Sequence, residues 1–148
     1  TQAAQWAAGF GVRLALEFRG TATFCSSLDT ALSLVAACGE SNVGVNLDIF
    51  HYYTGPSKFE DLSLLTPANL AFVQLCDVLD RPRELAADSD RIFPGEGSFQ
   101  LEPIMARLRQ IGYEGWISLE LLNPVVWQGR PAQVAELGLA ALQRLLKK

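Results

Sequence analysis

Six side chains in this sequence have types and positions that could do chemistry together: Glu17, Asp48, His51, Gln74, Arg91 and Glu120. Asp48 ends the run Val43-Gly-Val-Asn-Leu-Asp48, where Val43, Val45, Leu47 and then Ile49 make an aliphatic face and Gly44, Asn46 and Asp48 the other. A carboxylate at the carboxyl end of a parallel strand stands where α/β folds bind their ligands. His51, the only histidine, follows three residues later, where the strand should give way to a loop. An imidazole with an ordinary pKa of about 6.5 suits proton transfer near neutrality, although a lone histidine can equally be a capping or packing residue.

Glu17, Gln74 and Glu120 repeat the pattern of Asp48. Each is a polar residue on the non-aliphatic face of a strand-like run: Val12–Phe18, Leu70–Asp77 and Gly115–Leu121. Three carboxylates gathered at one end of a sheet repel and are costly to desolvate unless a cation neutralises them. A divalent ion is the natural resident, and oxygen donors favour magnesium, manganese or cobalt, with zinc also possible. The alternative for any one of these acids is a solvated strand terminus. Arg91 is either a solvated loop charge or, beside Pro94-Gly-Glu-Gly97, part of a carboxylate or phosphate contact. Asp77 could orient the ligands or cap a loop, and Arg81 and Arg83 read as surface charges. Trp116 is expected to pack inward low in the fold, and Tyr52 and Trp127 to wall a substrate or cover an interface.

The elements that must hold these residues follow from periodicity. An alanine-rich helix end over 1–9 precedes the first strand. Ser26 or Ser27 caps a helix from Leu28 to Cys38 that Gly39 stops. Helical spacing returns over 58–65, over 101–110 with Ser98 as a candidate cap, and over 131–146 with Pro131 as a first helical residue. Residues 80–98 form a long charged loop, and loops of that length inside a compact domain are usually functional. The order is a helix and then four strand–helix units, which points to parallel βα repeats. Strands aliphatic on one face and small or polar on the other resemble the wall of a (β/α)8 TIM-type barrel. A doubly wound sheet would instead need aliphatic residues on both faces.

A full barrel takes about 250 residues, and this chain has 148, so residues 1–148 are expected to be half a barrel. The first residue is Thr, not Met, which reads as a start in mid-protein. Open edges then need a cover, either a missing half barrel or another copy of the chain. The composition, 49% apolar and 19% charged, is that of an ordinary globular domain. Twelve scattered basic residues against sixteen acidic ones give a net charge of −4, which argues against a nucleic-acid partner. No apolar run approaches the ~20 residues of a membrane span. Cys25, Cys38 and Cys76 match neither a disulfide framework nor a metal motif, and fit reduced thiols in the cytoplasm.

Five motifs together carry a family resemblance: Leu-Ala-Leu-Glu17, Leu-Asp48-Ile-Phe-His51, Val-Gln74-Leu-Cys-Asp77, Asp90-Arg91 with Pro94-Gly-Glu-Gly97, and Gly112-Tyr-Glu-Gly-Trp-Ile-Ser-Leu-Glu120. In this order they resemble the C-terminal half of the xylose-isomerase-like sugar phosphate isomerases and epimerases. The resemblance implies that Glu17, Asp48, Gln74 and Glu120 ligate the metal and that His51 and Arg91 contact a sugar or polyol-like substrate. Glu17 and Glu120, flanking the substrate, would move the proton through an enediolate, with His51 as a further proton carrier. Gln74 departs from the histidine common in the family's epimerases. The Glu-Asp-Gln-Glu set resembles the 3-dehydroshikimate dehydratase branch, so a dehydratase is the alternative chemistry. A non-catalytic assembly module is a third reading. The single histidine does not suit the apurinic endonuclease branch.

Overall fold

The fold is described from a computed structural model that covers residues 1–147. Four strands pair in parallel in the order β1 (Leu14–Glu17), β2 (Val43–Asp48), β3 (Leu70–Leu75) and β6 (Ile117–Leu119). Spatial order follows chain order, as successive βα units of a barrel wall require. Helices α2 (Leu28–Cys38), α4 (Leu101–Gln110) and α5 (Pro131–Leu146) alternate with these strands, and α1 (Gln2–Ala8) precedes them.

The aliphatic faces turn outward onto helices, which is why the strands read as one-sided. Val45, Leu47 and Ile49 pack in one core with Leu28, Ala31, Leu32 and Val35 of α2, and the same core takes in Val73 and Leu75 with Leu101, Ile104, Met105 and Leu108 of α4. Gly39 stops α2 at φ 70°, a left-handed conformation that costs glycine little. The opposite face of the sheet carries Asn46, Asp48 and Gln74. A doubly wound sheet, with helices on both faces, is not what this chain builds.

Several local expectations need correction. His51 does not lie on a loop. Asp48 caps a short helix, α3 (Ile49–Thr54), by accepting from the Phe50 N–H at 2.8 Å, and His51 sits in its first turn. Residues 59–64 wind as a 3-10 helix, tighter than the α-helix expected. The side chain of Ser98 turns to the Val78 carbonyl, and Gln100, not Ser98, occupies the position before α4.

The long loop is organised as well. It contains two 3-10 turns and β5 (Arg91–Ile92), which pairs antiparallel with β4 (Asp77–Val78) just before the loop. Trp116 is not core: it is 82% exposed, because it precedes β6 at the edge of the sheet where no described element covers it. Tyr52 walls nothing, being buried with its hydroxyl donating to the Lys58 carbonyl at 3.0 Å. Trp127 is exposed and donates to the Leu121 carbonyl at 2.8 Å. No described helix is long and apolar enough to cross a membrane.

Candidate metal and substrate site

The site is built where the parallel strands end. Register brings Asp48 beside Gln74 across β2 and β3, while Glu17 pairs one step lower with Asn46 across β1 and β2. Glu120 lies just past β6, with its N–H on the Leu75 carbonyl at 3.2 Å. One ligand atom each from Glu17, Asp48 and His51 falls within 4.8 Å of the other two. Gln74 and Glu120 are joined to each other, the Gln74 Nε2 donating to Glu120 Oε1 at 2.9 Å. The four strand-end residues and His51 therefore share one end of the sheet.

Arg91 is placed in a way the sequence did not suggest. Its side chain is 1% exposed and grips Asp48 with two parallel bonds, at 3.1 and 2.9 Å. It also reaches Asp88 at 2.8 Å and Glu120 at 2.9 Å, and its guanidinium lies over the Phe50 ring at 4.4 Å. A planar fork with several donors is the group suited to such a cluster. The Gly95 and Glu96 amides of the turn expected to help it hold an anion are already engaged. Asp77 accepts from Gly95 and Phe99 N–H at 3.0 and 2.9 Å, so the anion in that turn is the chain's own carboxylate. Asp77 is thus a loop organiser. Gly97 packs so close to Asp77 and Val78 that a Cβ would sit 2.3 Å from each, and no side chain fits there. Arg81 and Arg83 pair with Asp90 and Glu84 and are largely exposed, as surface charges should be.

The electrostatics reflect several carboxylates gathered around the buried Arg91. Burial, with Asp48 and Glu17 nearby, pushes the Glu120 carboxyl up to about 7 against the opposing pull of Arg91. Burial also raises Glu17, with Asp48 adding to the shift. Burial lowers His51, outweighing the opposite effect of Asp48, so the imidazole is held toward its neutral, proton-accepting form. His51 Nε2 lies 3.8 Å from Asp48 Oδ2, too far for a hydrogen bond. For Arg91, burial works against the charge, and Asp48 more than restores it. The buried Cys76 thiol is pushed up to about 12 by burial, which removes it as a nucleophile.

A cavity of about 320 Å³ opens beside His51, lined also by Thr21, Phe50, Thr54, Arg83 and Asp88. A larger surface groove of about 590 Å³ between Phe59–Ser63 and α4 contains none of the strand-end residues. The sequence reading missed Asn46. It is an inward polar residue of β2 whose Nδ2 donates to Glu17 Oε1 at 3.3 Å and to Gln74 Oε1. Its position on the same face as Asp48 was the available signal, but it lies two residues short of the strand end where ligands gather.

The donor set fits a hard or borderline divalent ion: carboxylates, a neutral imidazole and an amide oxygen converge there, with the buried Arg91 to balance part of their charge. Comparison with known proteins gives the chain its relatives. An inosose isomerase of Halalkalibacterium halodurans is 32% identical over 129 residues, covering 86% of this chain and 46% of that protein. A 3-dehydroshikimate dehydratase of Pseudomonas aeruginosa is 30% identical over 129 residues, covering 82% of this chain and 20% of that protein. The crystal structure of an IolI protein with a bound zinc atom superposes with a TM-score of 0.90 at 26% identity, covering 96% of this chain and 51% of that one. The chain spans about half the length of the isomerase relatives it matches. The family model for the xylose isomerase-like TIM barrel matches residues 1–145, and with four parallel strands whose polar ends meet at one site, the chain belongs to that family.

Proposed function

We propose that this chain is the C-terminal half of a divalent-metal-dependent isomerase or epimerase acting on a sugar or polyol-like hydroxy ketone. The relatives named as inosose isomerases make a cyclic polyol ketone the first substrate to try, and sugars and sugar phosphates the next. The observation that carries the reading is the convergence of Glu17, Asp48 and His51 within 4.8 Å, with Gln74 and Glu120 joined alongside. Glu17, Asp48, Gln74 and Glu120 would hold the ion, as manganese, magnesium, cobalt or zinc. When bound, such an ion supplies positive charge that lowers the pKa of a C–H between two substrate oxygens.

The remaining chemistry belongs to side chains. Glu17 on β1 and Glu120 beyond β6 stand at opposite edges of the sheet, so a substrate lying over β2 and β3 has a carboxylate on each side. One removes the proton next to the carbonyl. The other returns it, to the same carbon from the opposite face for epimerisation or to the neighbouring carbon for isomerisation. His51, beside the cavity, accepts or donates at a substrate hydroxyl. Arg91 contacts substrate by releasing Asp88 or Glu120, and otherwise holds Asp48 in place. The free thiols of Cys25, Cys38 and Cys76 suit a reducing compartment such as the cytoplasm.

A second reading has support in the dehydratase relative and in Gln74: the same proton is removed, and a β-hydroxyl then leaves as water. The test is incubation of the manganese-loaded protein with inososes and 2-ketoses in deuterated water, followed by NMR. Deuterium at the carbon beside the carbonyl, with a new epimer or isomer, is the expected result. Enone absorbance with loss of water would select the dehydratase, and absence of both would overturn the enzymatic reading.

A further inference from the structure

We propose that Asn46 is a positioning residue, setting the sense of the Gln74 amide so that its oxygen is the atom offered to a bound cation. The proposal rests on the metal-site reading above and goes beyond it, because Asn46 is itself no ligand in that reading. Asn46 is 7% exposed and occupies an inward position of β2. Its Nδ2 donates to Glu17 Oε1 at 3.3 Å and to Gln74 Oε1, and Gln74 Nε2 donates to Glu120 Oε1 at 2.9 Å. Glu17, Asn46, Gln74 and Glu120 thus form one hydrogen-bonded row across the four strands.

The row has only one self-consistent direction. As ligands of a bound cation Glu17 and Glu120 must be ionised, and an ionised carboxylate accepts and cannot donate, so each end demands an N–H from the amide beside it. Asn46 must turn its NH2 to Glu17, and Gln74 must turn its NH2 to Glu120. That leaves the Gln74 oxygen facing the second N–H of Asn46, with one lone pair still open. An amide oxygen binds a hard cation and an amide NH2 does not. A reversed Gln74 would set NH2 against NH2 at one end and oxygen against carboxylate at the other.

Asn46 costs the fold something in return. Its Oδ1 is buried and has no hydrogen-bond partner among the described residues. A buried acceptor without a donor is destabilising, and an apolar side chain of similar size would avoid the penalty. A residue that packing alone would replace, and that holds two strand-end site residues in a set direction, is placed for the site. Partners that orient ligands in this way typically alter metal affinity by roughly 10- to 100-fold when removed.

The test titrates Mn²⁺ and Co²⁺ into the full chain by calorimetry, with the visible spectrum of the cobalt form as a second readout. Asn46→Leu is compared with the parent in two backgrounds, native and Gln74→Leu. The expected result is affinity weakened roughly 10- to 100-fold, a changed cobalt spectrum, and unfolding no easier than in the parent. That loss should vanish when Gln74 is already Leu, since the two substitutions break one linkage. Binding by Asn46→Leu within about twofold of the parent, or an equal loss in both backgrounds, overturns the proposal while leaving the metal site standing. A folded parent that binds neither ion overturns the metal-site reading itself and the proposal with it. Asn46→Ala serves in the same scheme if circular dichroism shows that the leucine variant does not fold.

Discussion

The centre of the sheet and its two edges are built to different standards. In β2 every residue from Gly44 to Asp48 is buried, and β3 seals Leu70, Val73 and Leu75, whereas β1 alternates half-buried with exposed and β6 is only half-buried throughout. Helix α5, next to β6, buries only Gly138 and Ala141, and leaves Leu137 and Leu139 exposed. The candidate site spans both regimes. Asp48, Asn46 and Arg91 belong to the sealed centre, while Glu17 and Glu120 stand at edges with unpaired backbone. Charge at the centre must be matched partner by partner, and charge at the edge can lean on water.

The sharpest way to break this comparison is to remove one partner at the centre. Arg91→Met leaves Asp48 buried without its bidentate partner, and urea denaturation should show a loss of about 3–5 kcal/mol. A loss below about 1 kcal/mol would mean that water reaches Asp48 and that the centre is not sealed. A cavity pair comes next. Leu47→Ala, at a fully buried position, should cost about 3 kcal/mol in the same assay. Leu119→Ala, at a half-buried position on β6, should cost roughly half as much. Equal losses would show that β6 is covered in solution.

The three tyrosines sharpen the comparison by pH. Burial raises Tyr52, Tyr53 and Tyr113, with the largest shift at Tyr52. Because the folded phenols hold their protons above the ordinary value near 10, the unfolded chain loses protons first. Stability is therefore full below about pH 10 and falls as pH rises beyond it. Ultraviolet titration should show Tyr113, near the β6 edge, ionising before Tyr52, and the reverse order would contradict the burial pattern. The smallest effect is expected at Glu17. Desolvation and Asp48 already disfavour its charge, so Glu17→Gln should change stability by less than about 0.5 kcal/mol. If it shifts the thermal midpoint by many degrees, Glu17 belongs with the centre.

Much of this was legible in the chain. Alternation of aliphatic with small or polar residues in four runs marks a sheet covered by helices on one side only, and Gly39 and Pro131 punctuate helices by backbone chemistry alone. Such signals are local, and they survive because the residues that set them are neighbours in sequence. The charge of Asp48 and its place at a strand end were visible for the same reason.

What only the tertiary structure decided are pairings between distant residues. Arg91 lies 43 residues from Asp48 and read as a contact for a substrate anion, but the β4–β5 pairing sets it on the chain's own Asp48. The Pro94–Gly97 turn looked open to an anion until Asp77, from the preceding strand, filled it. Asn46 met its partners only when register set Glu17 on one side and the β2–β3 pairing, whose register shifts at Val45–Asn46, set Gln74 within reach on the other. Sequence determined which side chains face the same way on each strand, because side-chain direction alternates residue by residue. Which of them touch was decided by register and loop closure, which depend on the whole packed sheet.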